Sequence, residues 1–188
     1  MSLSHISGAV LAGGRSSRFK ADKALHVWCG KTLLEHATQS LGGCAETFVV
    51  GGDYVLEDIT VHPDLQPLSG SLYGLKRALE LARFERVAVT ACDMPNLSRA
   101  YWDWLSSIAP CDVLIPRSAD GDLEPLAAIY SKACLPFVQN SLERGQLKMT
   151  GWWDQRLSVT VIAWPAVQSR FGGEVFLNAN TPADLEPS

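Results

Sequence analysis

A three-layer α/β/α domain with a mostly parallel, doubly wound sheet is what this sequence predicts, and three observations carry that expectation. The runs Ile6–Leu11 and Arg86–Ala91 are almost continuously apolar, as strands are when helices cover both sheet faces. Other segments repeat their apolar residues at helical spacing. The two patterns alternate along the chain, which implies βα units joined by right-handed crossovers.

The elements follow in order. After the Ile6–Leu11 strand, Lys31–Leu41 sets Leu33, Leu34, Ala37 and Leu41 on one helical face. Thr47–Val50 reads as a short β-branched strand ended by Gly51-Gly52. Ser69–Arg83 reads as a helix with Leu72, Leu75, Leu79 and Leu81–Ala82 inward, and Arg86–Ala91 as a buried strand. Ser98 suits the N-cap of a helix carrying Tyr101, Trp102 and Leu105. Val113–Ile115 and Leu126–Ile129 are further strands, and a helix runs from about Lys132 to Glu143. The last third is less regular, with a strand at Ser158–Ala163 and a short helix after Thr181-Pro182. No linker or repeat interrupts the pattern, so residues 1–188 form one domain.

Composition narrows the class. The chain has 188 residues, 47% of them apolar, enough to bury a sizeable core. Its formal charge of −4 disfavours a nucleic-acid surface, which needs a basic face. Five scattered cysteines without a C-x-x-C pair read as reduced thiols of a cytoplasmic protein. The Ile6–Leu11 run is short, contains Gly8 and follows no basic region, so it is not read as a signal peptide. No stretch approaches the length of a membrane span.

Against this acidic background, residues 11–25 stand out. The first strand delivers the chain into Ala12-Gly13-Gly14, and Arg15, Arg18, Lys20 and Lys23 follow within nine residues. Paired glycines followed by cations let backbone N–H groups approach and neutralise a polyphosphate. An ordinary turn with a solvated charged face is the plainer alternative. The Walker A spacing is absent, since Lys23 is followed by Ala24, and so is the dinucleotide G-x-G-x-x-G. In an open α/β sheet the ligand sits beyond the carboxyl ends of the strands. That rule singles out Gly13-Gly14, Asp53 and Asp93 as the residues leaving successive strands. Ala91-Cys92-Asp93-Met94-Pro95 could be a simple Asp turn. Beside a triphosphate loop, Asp93 gains a role as the carboxylate for Mg²⁺, which takes one or two carboxylates plus phosphate oxygens and waters.

Six motifs occur in the order Leu11-Ala12-Gly13-Gly14-x-Ser16-x-Arg18, Asp22-Lys23-Ala24, Pro67-Leu68-Ser69-Gly70, Cys92-Asp93-Met94-Pro95, Glu124-Pro125-Leu126 and Asn178-x-Asn180-Thr181-Pro182. Together they resemble the molybdenum cofactor guanylyltransferases, the MobA family, over nearly the whole chain. The opening motif is shared with nucleotidyltransferases of sugar phosphates, isoprenoid precursors and molybdopterin cytosine dinucleotide. The closing Asn-x-Asn-Thr-Pro and the short length narrow the resemblance towards molybdopterin.

The resemblance implies a Rossmann-like nucleotidyltransferase fold and a Mg²⁺-dependent reaction in which GTP and molybdopterin give molybdopterin guanine dinucleotide and pyrophosphate. It implies an N-terminal half for GTP and Mg²⁺ and a C-terminal half for molybdopterin. Leu11, Ala12 and Gly13 would meet guanine and ribose, and Gly14 and Ser16 the phosphates. Arg18 and Lys23 would neutralise the β- and γ-phosphates, with Asp22 orienting one of them. Asp53 and Asp64 would contribute to nucleotide selection, and Asp93 would hold the metal. Gly70, Asn178 and Asn180 would line the pterin side, with Lys148 a cation for its phosphate. Asn-Thr-Pro also caps a helix on ordinary grounds. Trp152 and Trp153 suit core packing more than pterin stacking, and Cys92 packing. The resemblance further implies a cytoplasmic protein with transient contacts to a molybdenum insertion protein and molybdoenzyme chaperones.

Three positions depart from the family pattern. Lys20 and Gln66 stand where glycines are usual, and Asp53 where asparagine is. They bear on base choice, since Asp53 accepts hydrogen bonds but cannot donate them when ionised. The alternatives are a cytidylyltransferase, a sugar-phosphate nucleotidyltransferase, or a non-catalytic nucleotide-binding homologue.

Overall fold

The computed structural model describes residues 2–13, 22–63 and 70–186. Its strands, in chain order, are β1 (Ile6–Leu11), β2 (Val27–Trp28), β3 (Lys31–Thr32), β4 (Glu46–Val50) and β5 (Thr60–His62). They continue with β6 (Arg86–Ala91), β7 (Val113–Pro116), β8 (Ala127–Ser131) and β9 (Val159–Ile162). Seven of them form one sheet in the order β5-β4-β1-β6-β8-β7-β9. Every neighbouring pair is parallel except those made by β8, which runs antiparallel to β6 and β7.

Side chains of β1 alternate between two helical layers, which is why its sequence is apolar but for Ser7, whose buried hydroxyl donates to Glu46 Oε1 at 2.7 Å. Ile6 and Val10 pack towards α1 (Leu33–Ser40), α3 (Arg99–Ser107) and α5 (Trp164–Phe171). Ala9 and Leu11 pack towards α2 (Ser71–Leu81) and α4 (Leu135–Glu143). All six residues of β1 and of β6 are buried, as a doubly covered sheet requires. The expected three-layer architecture is therefore observed, with one antiparallel strand inside it.

Local chemistry explains where expectation and structure differ. The helix expected from Lys31 starts at Leu33, because Thr32 caps it and exchanges bonds with Glu35 in a capping box. Residues 27–32 form the two-residue hairpin β2–β3, turned by Cys29 (φ 48°) and Gly30 (φ 81°). Ser98 does cap α3, accepting from the Tyr101 N–H at 3.3 Å. The helix expected over 132–143 divides into a 3₁₀ turn and α4 at Leu135-Pro136. The irregular last third contains α5, opened by Trp164-Pro165, a helix with no counterpart among the expected elements.

The order of the strands sets the site. The chain leaves β1 for β4 on one side and later returns to β6 on the other, so a crevice opens between the carboxyl ends of β1 and β6. Such a topological switch point is where open α/β sheets bind ligands.

Candidate active site

Backbone bonds fix the crevice floor. The Ala12 N–H reaches the Val50 carbonyl at 2.9 Å, and the Cys92 N–H reaches the Leu11 carbonyl at 3.3 Å. The end of β1 is thus gripped from both sides, with Leu11 and Ala12 buried and Gly13 exposed. Two glycines shape the neighbouring wall. Gly70 opens α2 at φ +85°, a left-handed conformation that side chains resist. Gly74 lets α2 approach β1, since a Cβ there would meet Leu11 Cδ1 at 3.0 Å.

Lys23 and Asp93, 70 positions apart in sequence, meet across this crevice. Asp22 caps the short 3₁₀ turn Lys23–Leu25 by accepting from the Ala24 N–H at 3.0 Å, and Ala24 is buried beneath it. That anchors the Lys23 backbone and leaves its side chain to reach Asp93. Lys23 Nζ donates to Asp93 Oδ2 at 2.8 Å. The side chains are 12% and 25% exposed, so the pair is less screened than a surface salt bridge. Asp93 Oδ1 is buried and has no hydrogen-bond partner among the described residues.

The C-terminal segment folds back onto the same pair. The Ala179 N–H donates to the Asp93 carbonyl at 2.9 Å, and Asn180 Oδ1 lies 3.4 Å from Lys23 Nζ. Thr181 precedes Pro182 and shares a capping box with Asp184. The Thr181 N–H holds the Asp184 carboxyl below the usual carboxylate range, with the Lys23 charge contributing further. Asn178 turns its amide to the Phe176 carbonyl at 3.3 Å. The Asn-x-Asn-Thr-Pro motif is therefore both a cap and a wall of the crevice.

Other expected residues are placed less centrally. Asp53 is exposed just past Gly51-Gly52 at the carboxyl edge of β4. Lys148 is exposed between α4 and β9, and no contact among the described residues ties it to Lys23 or Asp93. Gly14, Ser16, Arg18 and Asp64, with Lys20 and Gln66, lie outside the described residues. Asp22, expected to orient a cation, also accepts the Tyr54 hydroxyl at 2.9 Å. Tyr54 is not among the expected residues, because a lone tyrosine in a loop carries no pattern. Its hydroxyl also approaches the Ala12 carbonyl at 3.5 Å, joining the Asp53 loop to the floor.

Three residues with two candidate roles settle into packing or remain at its edge. Trp152 is buried, packs at 5.3 Å from Trp153 and 6.1 Å from Tyr130, and donates to the Met149 carbonyl. Trp153 is half-buried against the same core. Cys92 is buried beside Asp93, and burial followed by the Asp93 charge pushes its thiol up to about 12, so it stays protonated at neutral pH.

The residues present fit a magnesium ion held largely by substrate. Asp93 offers a hard oxygen, Oδ1, that is directed to no protein donor among the described residues. No group of three His, Cys, Asp or Glu gathers as a ligand set among those residues. One carboxylate with phosphate oxygens and waters completing the shell matches the way Mg²⁺ binds nucleotides.

Fold and site together define a three-layer α/β protein with a Lys23–Asp93 pair in the crevice at its switch point. Comparison with known proteins is more specific. The MobA-like NTP transferase domain matches residues 8–157, and the chain belongs to that family. A probable molybdenum cofactor guanylyltransferase of Deinococcus radiodurans is 35% identical, over 96% of this chain and 92% of that protein. One from Carboxydothermus hydrogenoformans is 32% identical, over 98% and 95%. The crystal structure of molybdopterin-guanine dinucleotide biosynthesis protein A from Archaeoglobus fulgidus superposes with a TM-score of 0.78 at 27% identity, covering 95% of this chain and 94% of that one.

Proposed function

We propose that this chain is a molybdenum cofactor guanylyltransferase, moving GMP from GTP to the terminal phosphate of molybdopterin and releasing pyrophosphate. The observation that carries the reading is the Lys23–Asp93 contact at the carboxyl ends of β1 and β6. It sets a cation beside a metal-suited carboxylate where a triphosphate would lie. The choice of GTP and molybdopterin is supported by the relatives, which bear that activity in their names.

In this reading the terminal phosphate oxygen of molybdopterin attacks the α-phosphorus of GTP. The new P–O bond forms as the bond to the β-phosphate oxygen breaks, and pyrophosphate carries the charge away. A phosphate monoester is largely dianionic near neutral pH, so no general base has to take a proton. Rate then rests on positioning and charge neutralisation. Mg²⁺, when bound, neutralises phosphate oxygens. Lys23, with Arg18, neutralises the β- and γ-phosphates, Asp93 holds the ion, and the backbone of Leu11, Ala12, Gly13 and Gly14 with Ser16 receives the nucleotide. Asp53 and Asp64 act in base selection, and Gly70, Lys148, Asn178 and Asn180 on the molybdopterin side. The five unbridged cysteines support a reducing, cytoplasmic setting, and none of the described helices is long and apolar enough to cross a membrane. Hand-off to a molybdenum insertion protein and molybdoenzyme chaperones completes the proposal.

Purified protein given molybdopterin, Mg²⁺ and α-labelled GTP should form the labelled guanine dinucleotide and pyrophosphate. Transfer from CTP in preference to GTP would move the chain to the cytidylyl branch. Turnover of neither nucleotide would overturn the reading.

A further inference from the structure

Asp93 has two oxygens with different surroundings. Oδ2 holds the Lys23 ammonium at 2.8 Å, while Oδ1 is buried without a partner among the described residues. An ionised carboxylate facing an ammonium is close to neutral as a pair. A dication arriving alone therefore meets an Asp93 whose charge is already compensated by Lys23.

The exchange needed to change this is confined to one side chain. The Lys23 backbone is pinned by the Asp22 cap, by the buried Ala24 and by the His26 N–H on its own carbonyl at 3.1 Å. The Asp93 backbone is pinned by the Ala179 N–H. A lysine stem of four carbons can swing its ammonium through several ångströms with both backbones still, and a triphosphate in the crevice supplies stronger acceptors for it. Asn180 Oδ1, at 3.4 Å, is a second acceptor that steadies the ammonium in its seat on Asp93.

We propose that Lys23 competes with the divalent cation for Asp93, so that metal alone binds weakly and metal and triphosphate each raise the other's affinity. This rests on the assignment of Asp93 as the metal carboxylate above and adds a coupling between the two ligands. By linkage the coupling is reciprocal: a triphosphate that draws Lys23 away frees Asp93 for the ion, and the ion disfavours the return of Lys23.

The test uses Mn²⁺ as the probe. Free aquo-Mn²⁺ is counted by electron paramagnetic resonance as it is titrated into the full chain without nucleotide. Lys23→Met should bind Mn²⁺ about tenfold more tightly than the wild type. Asn180→Ala should strengthen binding by about two- to fivefold, and Lys23→Met/Asp93→Asn should lose the gain. Calorimetric titration with GTP, with and without Mg²⁺, should give a metal dependence that is steep in the wild type and shallower in Lys23→Met. Circular dichroism and thermal midpoints establish that each variant is folded, and Asn180→Ala tests the competition if Lys23→Met is not. Mn²⁺ binding to Lys23→Met no tighter than to the wild type would overturn the competition. If Lys23→Met gains affinity and the double variant keeps that gain, the Asp93 metal assignment itself falls. If GTP binding depends on Asp93 and metal but Lys23→Met gains no affinity, the assignment stands and only the competition is lost.

Discussion

The crevice floor and the C-terminal wall are built by different physics, although they meet at Asp93. The floor consists of the ends of β1, β4 and β6, whose register is set by continuous parallel ladders and side chains buried on both faces. The wall consists of residues 172–181, which carry no helix or strand. It is held by three buried side chains, Val175, Phe176 and Ala179, and by individual bonds, Asn96 Nδ2 to the Glu174 carbonyl and the Ala179 N–H to the Asp93 carbonyl, while Trp28 Nε1 ties down the turn that follows it at the Leu185 carbonyl. Floor residues cannot shift unless the sheet does, whereas the wall has no ladder, and its exposed residues Asn178 and Asn180 are positioned by single side-chain contacts. A floor with fixed positions suits the reacting groups, and an adjustable wall suits recognition of the second substrate.

That contrast is open to breakage, beginning at the floor. Asp93→Ala should lower kcat by about 10²–10³-fold, with nucleotide affinity falling much less, because the ion's position matters most in the transition state. Steady-state kinetics against GTP, with binding measured separately, checks this split. Near-normal rates in Asp93→Ala would remove the carboxylate from the chemistry. Lys23→Ala comes next, with about a ten- to hundredfold loss shared between KM for GTP and kcat, since the ammonium meets charge in both ground and transition states. Unchanged values of both constants would take Lys23 out of the site.

Most of the floor was legible in the sequence, because its signals are local. Ile6–Leu11 and Arg86–Ala91 announce buried strands by continuous apolarity, and the ligand-edge rule then selects Gly13 and Asp93 without knowledge of contacts. The Lys23–Asp93 contact itself spans 70 positions and depends on how β1 and β6 pair, so no local pattern carries it. β5, at three residues, and the β2–β3 hairpin, at two per strand, are too short for a periodic signal. α5 was hidden because Trp164-Pro165 at its start reads as a break, although proline is well tolerated in the first turn. The wall was half legible. Asn178-x-Asn180 suggests a pterin side, but the approach of Asn180 to Lys23 puts it against the Lys23–Asp93 pair too.

That double position of Asn180 gives a sharper prediction at the wall. If the wall serves molybdopterin alone, Asn180→Ala should leave KM for GTP untouched. The 3.4 Å approach to Lys23 Nζ predicts instead that kcat/KM falls about three- to tenfold for both substrates. A double-mutant cycle with Lys23→Ala should show a coupling of about 0.5–1 kcal/mol, and strict additivity would separate the two residues. Trp28→Phe is smaller again. It removes the 2.9 Å bond from the indole N–H to the Leu185 carbonyl while keeping most of the ring packing. A loss of about 1 kcal/mol is expected, seen as a thermal midpoint lower by roughly 2–4 °C. KM for molybdopterin should rise with kcat preserved at saturation, as a loosened wall above an intact floor would give.

An effect of similar size lies at the floor's far side, in the turn that leads into β8. Glu124 is half-buried there, its N–H held by the Pro116 carbonyl at 2.9 Å. Burial first, then the charges of Asp122 and Asp120, push its carboxyl up from 4.5 to about 7, with the Ser118 hydroxyl pulling the other way. The folded chain therefore holds this proton more tightly than the unfolded chain does. Stability is fullest below about pH 4.5 and declines as pH rises through about 7, beyond which the cost is constant. Glutamine has no charge to desolvate, so Glu124→Gln should match the wild type near pH 4.5 and exceed it at pH 8. Allowing for the partial exposure of the group, the gain is about 1 kcal/mol, or roughly 2–4 °C in thermal midpoint. Midpoints scanned from pH 4.5 to 8 would reveal a gap opening through the titration range. Parallel curves at every pH would mean that Glu124 is solvated, and that the rigid floor ends at Asp93 rather than reaching across to β8.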